Sequence, residues 1–208
     1  MNSATQFEEN KYVVIPKAVD SLMVNFINDY IELNFGRFKV IVEHLPEHYS
    51  SHSHGEYSPE AAAGGESYSK YGDMLSDCLL SGLVKSVGLE IGLKLIPTYG
   101  YFRRYQRGNK LGKHTDRPSC EISISMCIGY EGESWPLFIE GVPIYQEPGD
   151  IVIYRGCELE HWRETFEGER HTQMLLHYND SDGPYGKDNL YDGRLFLGLP
   201  LGANRGIK

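Results

Sequence analysis

The chain predicts a mainly β architecture, a sandwich or barrel with helices packed behind it as a buttress. Two amphipathic helical segments come first, and after Pro97 the pattern switches to short extended runs separated by turn residues. No helical segment interrupts those runs, which favours strands paired with strands over a βαβ alternation. The 208 residues are enough to bury a core without disulfides or a structural metal. The expected layout is therefore one domain: helical support over 1–92, a β core over 93–180 and a glycine-rich tail over 181–208.

In chain order, KYVVIP at 11–16 has the β-branched density of a short strand. Asp20 is placed to cap a helix running to about Asn34, with Met23, Phe26, Ile27, Tyr30 and Ile31 recurring at three- and four-residue spacing. From Glu43 to Lys70 the composition turns to His, Ser, Gly, Glu and Tyr, with AAAGGES in the middle. That reads as a long polar loop, a candidate lid or docking surface. His48, His52 and His54 in EHYSSHSHGE raise the idea of a second metal site, but imidazoles in a polar loop without flanking strands read better as solvated side chains. Asp73 can cap a second helix over about 74–92, with Leu75, Leu79, Leu80, Leu83, Val84 and Val87 as its stripe. TYGYFRRY, EISISMCIGY, WPLFIE, VPIYQE, DIVIYR and HTQMLLHY then supply five or six strands, and the turn EPGD starts the fifth of these runs.

A formal net charge of −9 argues against nucleic acid or an anionic membrane as partner. Cys78, Cys120, Cys127 and Cys157 form no CxxC pair and no zinc spacing, so they read as free thiols of a reducing compartment. The first residues carry no basic stretch followed by an apolar run, and no run of about 18 apolar residues occurs, so a cytoplasmic location is the expectation.

The chemistry concentrates in His114-Thr115-Asp116, followed 45 residues after the aspartate by His161 and nine further on by Arg170. Two imidazoles and one carboxylate make the facial triad that holds a non-haem Fe(II) with open coordination positions. One residue separates His114 from Asp116, which on an extended strand puts both side chains on one face, and His161 must come from another strand. Arg103, Arg104, Arg117, Arg155 and Arg163 surround the triad in sequence. Any single one most simply satisfies a surface carboxylate, whereas a cluster near the pocket would favour an anionic substrate. Trp135 and Trp162 read as core or pocket wall.

The segments TYGYFRRYQRGNKLGKHTDRPSCEIS, EPGDIVIYRGCELEHWRE and ERHTQMLLHY resemble the iron-binding half of the Fe(II)/2-oxoglutarate dioxygenases, most nearly the prolyl 4-hydroxylase-like branch, over roughly residues 93–180. The resemblance implies a double-stranded β-helix (a jelly-roll, cupin-like fold) with Fe(II) on His114, Asp116 and His161, and with 2-oxoglutarate and O2 as co-substrates. It also implies that Arg170 grips the distal carboxylate of 2-oxoglutarate, with Tyr105 beside the same group. Strand parity counted from Arg170 then puts Thr172 and Met174 in the co-substrate pocket. His171 stands next in line should Arg170 prove to be a solvated charge. The implied reaction is hydroxylation of a C–H bond of a peptidyl proline or related amino acid, with release of succinate and CO2. A small-metabolite hydroxylase of the same class and a non-catalytic cupin-like metal-binding module are the alternatives. Asp116 argues against halogenation, which in this family requires that carboxylate to be lost.

Overall fold

The computed structural model describes residues 2–46, 54–58 and 67–199. A helix that the sequence did not announce comes first, α1 (Ser3–Asn10), capped by the Asn2 side chain accepting from Thr5 N. Its anchor is one buried ring, Phe7, too little for a visible period. The strand β1 (Tyr12–Ile15) falls where expected, and α2 (Ser21–His44) starts at the predicted Asp20 cap.

Helix α2 runs ten residues past the expected end at Asn34, because Phe38 and Ile41 continue the buried face that begins with Val24, Ile27 and Ile31. Asn34 lies on that face, its amide donating to Tyr30 O at 2.9 Å and its carbonyl accepting from Arg37 and Lys70. Met23 and Phe26, expected on the apolar face, are instead exposed.

Part of the predicted polar loop is ordered as strand: β2 (Glu56–Ser58) and β3 (Ser67–Tyr71) pair antiparallel. His48, His52 and most of AAAGGES lie outside the described residues, and with them any lid or docking role. Next comes α3 (Met74–Ile91), capped by Asp73 as predicted and closed by Gly92 at φ 74°. This left-handed geometry suits a glycine.

The remaining strands are β4 (Leu95–Gln106), β5 (Leu111–His114), β6 (Ile122–Glu131), β7 (Leu137–Ile139), β8 (Val142–Ile144), β9 (Ile151–Arg155), β10 (His161–Arg163) and β11 (Arg170–Asp180). They form a seven-stranded sheet in the order β1-β9-β6-β11-β4-β3-β2 and a four-stranded sheet in the order β5-β10-β7-β8. Every pairing is antiparallel.

The large sheet is covered on both faces, and β6 shows how the sequence encodes this. Its residues alternate Ile122, Ile124, Met126 and Ile128 with Ser123, Ser125 and Cys127, and all seven are buried. The large side chains join Phe102, Met174, Leu176 and Tyr178 in a core against Ile27 and Ile31 of α2 and Leu80 and Val87 of α3. The small polar ones face the four-stranded sheet. On that side Val152 and Tyr154 pack against Leu137, Ile139 and Ile144. An alternation that on a one-sided sheet would mean solvent here means a polar interior.

The tail expected to be only partly ordered is built into the fold as far as residue 199. A 3-10 segment at Gly186–Gly193 packs on β4, and the fully buried Arg194 follows it.

Candidate functional site

His114 ends β5, His161 opens the neighbouring β10, and the two residues are register partners across that pair. Asp116 lies just beyond the end of β5, its backbone N–H donating to Gly156 O at 2.8 Å. This contact, not a shared strand face, brings the carboxylate back to the histidines. Asp116 Oδ1 sits 3.7 Å from His114 Nε2 and 3.6 Å from His161 Nε2, and one donor atom from each residue lies within 4.8 Å of the other two. One ion can bridge donors so spaced.

The imidazoles are set for that role. His114 Nδ1 contacts Gly112 O at 2.7 Å, and His161 Nδ1 contacts Leu159 O at 2.9 Å. A carbonyl only accepts, so each Nδ1 carries the ring proton and each Nε2 presents its lone pair towards Asp116. Asp116 is held as firmly. Its Oδ2 accepts from Ser123 Oγ at 2.8 Å, and Ser123 Oγ is also 2.8 Å from His177 Nδ1. The hydroxyl has one proton; with that proton on Asp116, it accepts from His177 Nδ1–H. Burial lowers the His177 pKa to about 4, which keeps that ring neutral near pH 7. Burial also pushes the Asp116 carboxyl upward, but hydrogen bonding, including that from Ser123 Oγ, outweighs this and holds it below the usual carboxylate range.

Gly156 makes room for this carboxylate. A Cβ there would overlap Asp116 Oδ2 and lie 2.5 Å from Cys120 O and 2.9 Å from Asp116 Cβ. Gly156→Ala is therefore expected to displace Asp116 and weaken divalent-metal binding by about 10-fold or more, the scale of losing an outer support of a metal ligand. A Co(II) titration followed by absorbance measures this. Wild-type affinity would mean that the carboxylate can move without losing its ligand position.

The structure does not bring Arg170 and Thr172 to this triad. The Arg170 guanidinium reaches Asn28 Oδ1 on α2 at 2.8 Å and Glu131 Oε1 at 3.0 Å, with Glu32 on α2 at 3.5 Å. Thr172 Oγ1 accepts from Arg170 at 3.3 Å, and Met174 joins the core beneath the helices. All three lie on the helix side of the large sheet. Sequence spacing fixes how far along β11 a residue comes, but not which face it takes.

The odd-numbered residues of β11 face the small sheet. His171 is paired with Tyr105, Gln173 with Arg103 and His177 with Tyr99 across the β4–β11 ladder. Tyr105 thus belongs to the interior, buried in a cluster with Trp135 and Phe166. Of the flanking arginines, Arg104 pairs with Glu32, Arg117 with Asp192 and Arg155 with Glu158. Arg103 is buried over the Tyr101 and Tyr105 rings, and Arg163 is buried against Trp135. Ser123, His177 and Gly156 had no sequence signal beyond the Ser/Ile alternation, since their roles depend on pairings 7 to 54 residues distant. An apolar cleft lined by Ile15, Val87, Met126 and Ile151 lies on the helix side and shares no residue with the triad.

No protein-family model and no curated protein sequence matches the chain. Solved structures do. A 2OG-Fe(II) oxygenase family oxidoreductase from Burkholderia pseudomallei is similar at 17% identity and TM-score 0.57, covering 85% of this chain and 89% of that one. A Pseudomonas putida prolyl-4-hydroxylase is similar at 12% identity and TM-score 0.62, covering 86% and 97%. The alpha-ketoglutarate-dependent carbocyclase SnoK from nogalamycin biosynthesis is similar at 14% identity and TM-score 0.67, covering 96% and 92%. With two facing antiparallel sheets and likenesses of this extent, the chain has the double-stranded β-helix fold of the 2-oxoglutarate/Fe(II) oxygenases.

Proposed function

We propose that this protein is an Fe(II)- and 2-oxoglutarate-dependent dioxygenase that hydroxylates a C–H bond of a peptidyl proline or related amino-acid substrate. The observation that carries the reading is the convergence of His114, Asp116 and His161 at the rim of two facing sheets, with both histidine tautomers fixed by backbone carbonyls. Two neutral imidazole nitrogens and one carboxylate oxygen are the donor set that suits Fe(II) and leaves positions open. When bound, the iron supplies the redox chemistry that couples loss of CO2 from 2-oxoglutarate to O2-dependent oxidation of the substrate.

The chain's own contribution is placement. His114 and His161 offer Nε2 lone pairs, Asp116 offers Oδ1, and Ser123 keeps the other carboxylate oxygen occupied. The buried inner faces of β4, β6 and β11 back the site, while the His114 side chain, 39% exposed, leaves one edge open to solvent. A small-metabolite substrate is the second reading. It is favoured by the likeness to the carbocyclase SnoK, which extends over 96% of this chain against 86% for the prolyl-4-hydroxylase.

The test is incubation with Fe(II), 2-oxoglutarate and O2 in the presence of proline-containing peptides or free amino acids, with succinate and substrate mass followed together. Succinate formation coupled to a gain of one oxygen on a peptide or amino acid supports the first reading. Succinate without oxidation of either supports the second. No succinate under any condition, with metal bound, would leave a metal-binding module.

A further inference from the structure

Arg163 is a cation buried without a counter-ion. It is only 3% exposed, and among the described residues no carboxylate pairs with it. The groups that face it electrostatically are Tyr105, Cys127 and Tyr154, two phenols and a thiol. Burial raises both the Cys127 and the Tyr154 pKa, so neither offers negative charge near neutral pH. Its guanidinium lies over the Trp135 ring, 5.0 Å from the centroid, and Nη1 donates to Trp135 O. Nη2 is buried and has no hydrogen-bond partner among the described residues.

Arg194 shows what this chain does with a structural buried arginine. It is equally deep, but Asp77 neutralises it at 2.7 Å and carbonyls take its other N–H groups. An unpaired charge held out of water is costly, so a fold that keeps one has a use for an anion there.

Arg163 also lies beside the triad. His161 and Arg163 are alternate residues of β10 and both buried, so their side chains leave the strand on the same face, about 6.6 Å apart along it. A second orphan donor lies nearby. Gln173 Nε2 donates to His171 Nε2 at 2.7 Å, which places the ring proton on Nδ1, and His171 Nδ1 is buried without a partner. His171 also contacts Trp135, edge to face with ring centroids at 5.4 Å, so His171 and Arg163 flank the same indole. Its register partner Tyr105 completes the wall.

We infer that Arg163, together with His171 Nδ1–H and Tyr105, forms the carboxylate pocket that takes the far end of the 2-oxo-dicarboxylate co-substrate, in place of Arg170. The inference rests on the oxygenase reading for the identity of the anion; the pocket itself rests on the unpaired guanidinium. A guanidinium presents two N–H groups to a carboxylate, and its neutralisation by the co-substrate would make ligand binding and stability interdependent.

The test is calorimetric titration of 2-oxoglutarate into the Zn(II)-loaded protein, which binds without turnover, alongside thermal unfolding of each variant with and without the ligand. Arg163→Met is expected to weaken binding roughly 10- to 100-fold, the value of charge-assisted hydrogen bonds, and to remove the ligand-induced rise in Tm. Arg170→Met should change neither by more than about twofold on the same scale. Arg163→Gln serves as the second variant should the methionine protein fold poorly. Wild-type affinity in a folded Arg163 variant overturns the inference, as does a loss of affinity confined to Arg170→Met. If the wild-type protein binds no 2-oxoglutarate, the oxygenase reading fails separately. The pocket is then judged with glutarate, succinate and inorganic phosphate: an Arg163-dependent rise in Tm upholds it, and no rise with any of the three overturns it.

Discussion

Replacing His161 with alanine is expected to abolish stoichiometric binding of Fe(II) or Co(II), with an affinity loss of more than about 100-fold, since even outer-shell supports of metal ligands are worth 10- to 100-fold. Succinate formation would be lost with it. The size of the effect follows from the geometry. His161 supplies one of three donors, is 2% exposed, and has its Nδ1–H fixed on Leu159 O at 2.9 Å. Among the described residues, His177 lies within 4.8 Å of Asp116 and Cys120, but its Nδ1 is engaged by Ser123, and His171 is engaged with Gln173. The ring also packs edge-on to Tyr154, with centroids at 4.9 Å, so alanine opens a cavity as well as removing a ligand. His161→Gln keeps most of the volume and separates the two effects. A folded glutamine variant that still binds one equivalent of metal at wild-type affinity would remove His161 from the proposed ligand set.

Local spacing singles out His114, Asp116 and His161 as candidates, although Asp116 reaches the histidines through its bond to Gly156 O beyond the end of β5 and not by a shared strand face. A short HxD and a histidine eleven residues after the aspartate of a strand-starting turn are local facts. The helix caps Asp20 and Asp73 were legible for the same reason, each being a short polar side chain just ahead of an apolar period. Arg170 marks the limit. Its distance after His161 places it at the start of the last long strand, but a turn of unknown geometry intervenes, and one residue of slippage sends every side chain to the opposite face. Arg163 stood among the arginines named from sequence, and nothing local set it apart. What distinguishes it is that no acid among the described residues pairs with it after folding, a property of tertiary packing. Likewise β6 reads as an ordinary alternating strand. That Ser123 and Ser125 face a second sheet and not water depends on β5, β7, β8 and β10, whose short lengths of three or four residues give weak signals.

The tail was the least legible part, and it carries the second large expectation. Asp77→Ala should destabilise the protein by about 3–5 kcal/mol, because it leaves the buried Arg194 guanidinium without its anion. For a chain of this length that corresponds to a fall in Tm of roughly 6–20 °C. Asp77 and Arg194 are 1% and 0% exposed and are joined at 2.7 Å across 117 residues. Asp77 also accepts from Gly100 N at 3.0 Å and Gly198 N at 2.7 Å, so one carboxylate fastens α3, β4 and the tail together. Removing both partners, in Asp77→Ala/Arg194→Met, should recover part of the loss, since neither charge is then stranded; the backbone amides of Gly100 and Gly198 stay unpaired and keep the recovery incomplete. Thermal unfolding of the three proteins decides the matter, and a single variant within about 1 kcal/mol of wild type would show that the pair is no better than a surface one. The consequence reaches the site. Just before Arg194, Asp192 holds both Tyr71 and Arg117, and Arg117 directly follows Asp116. Loosening the tail should therefore weaken metal binding in Asp77→Ala even at temperatures where the variant is folded, whereas a tail that merely covers the sheet would leave the metal affinity unchanged.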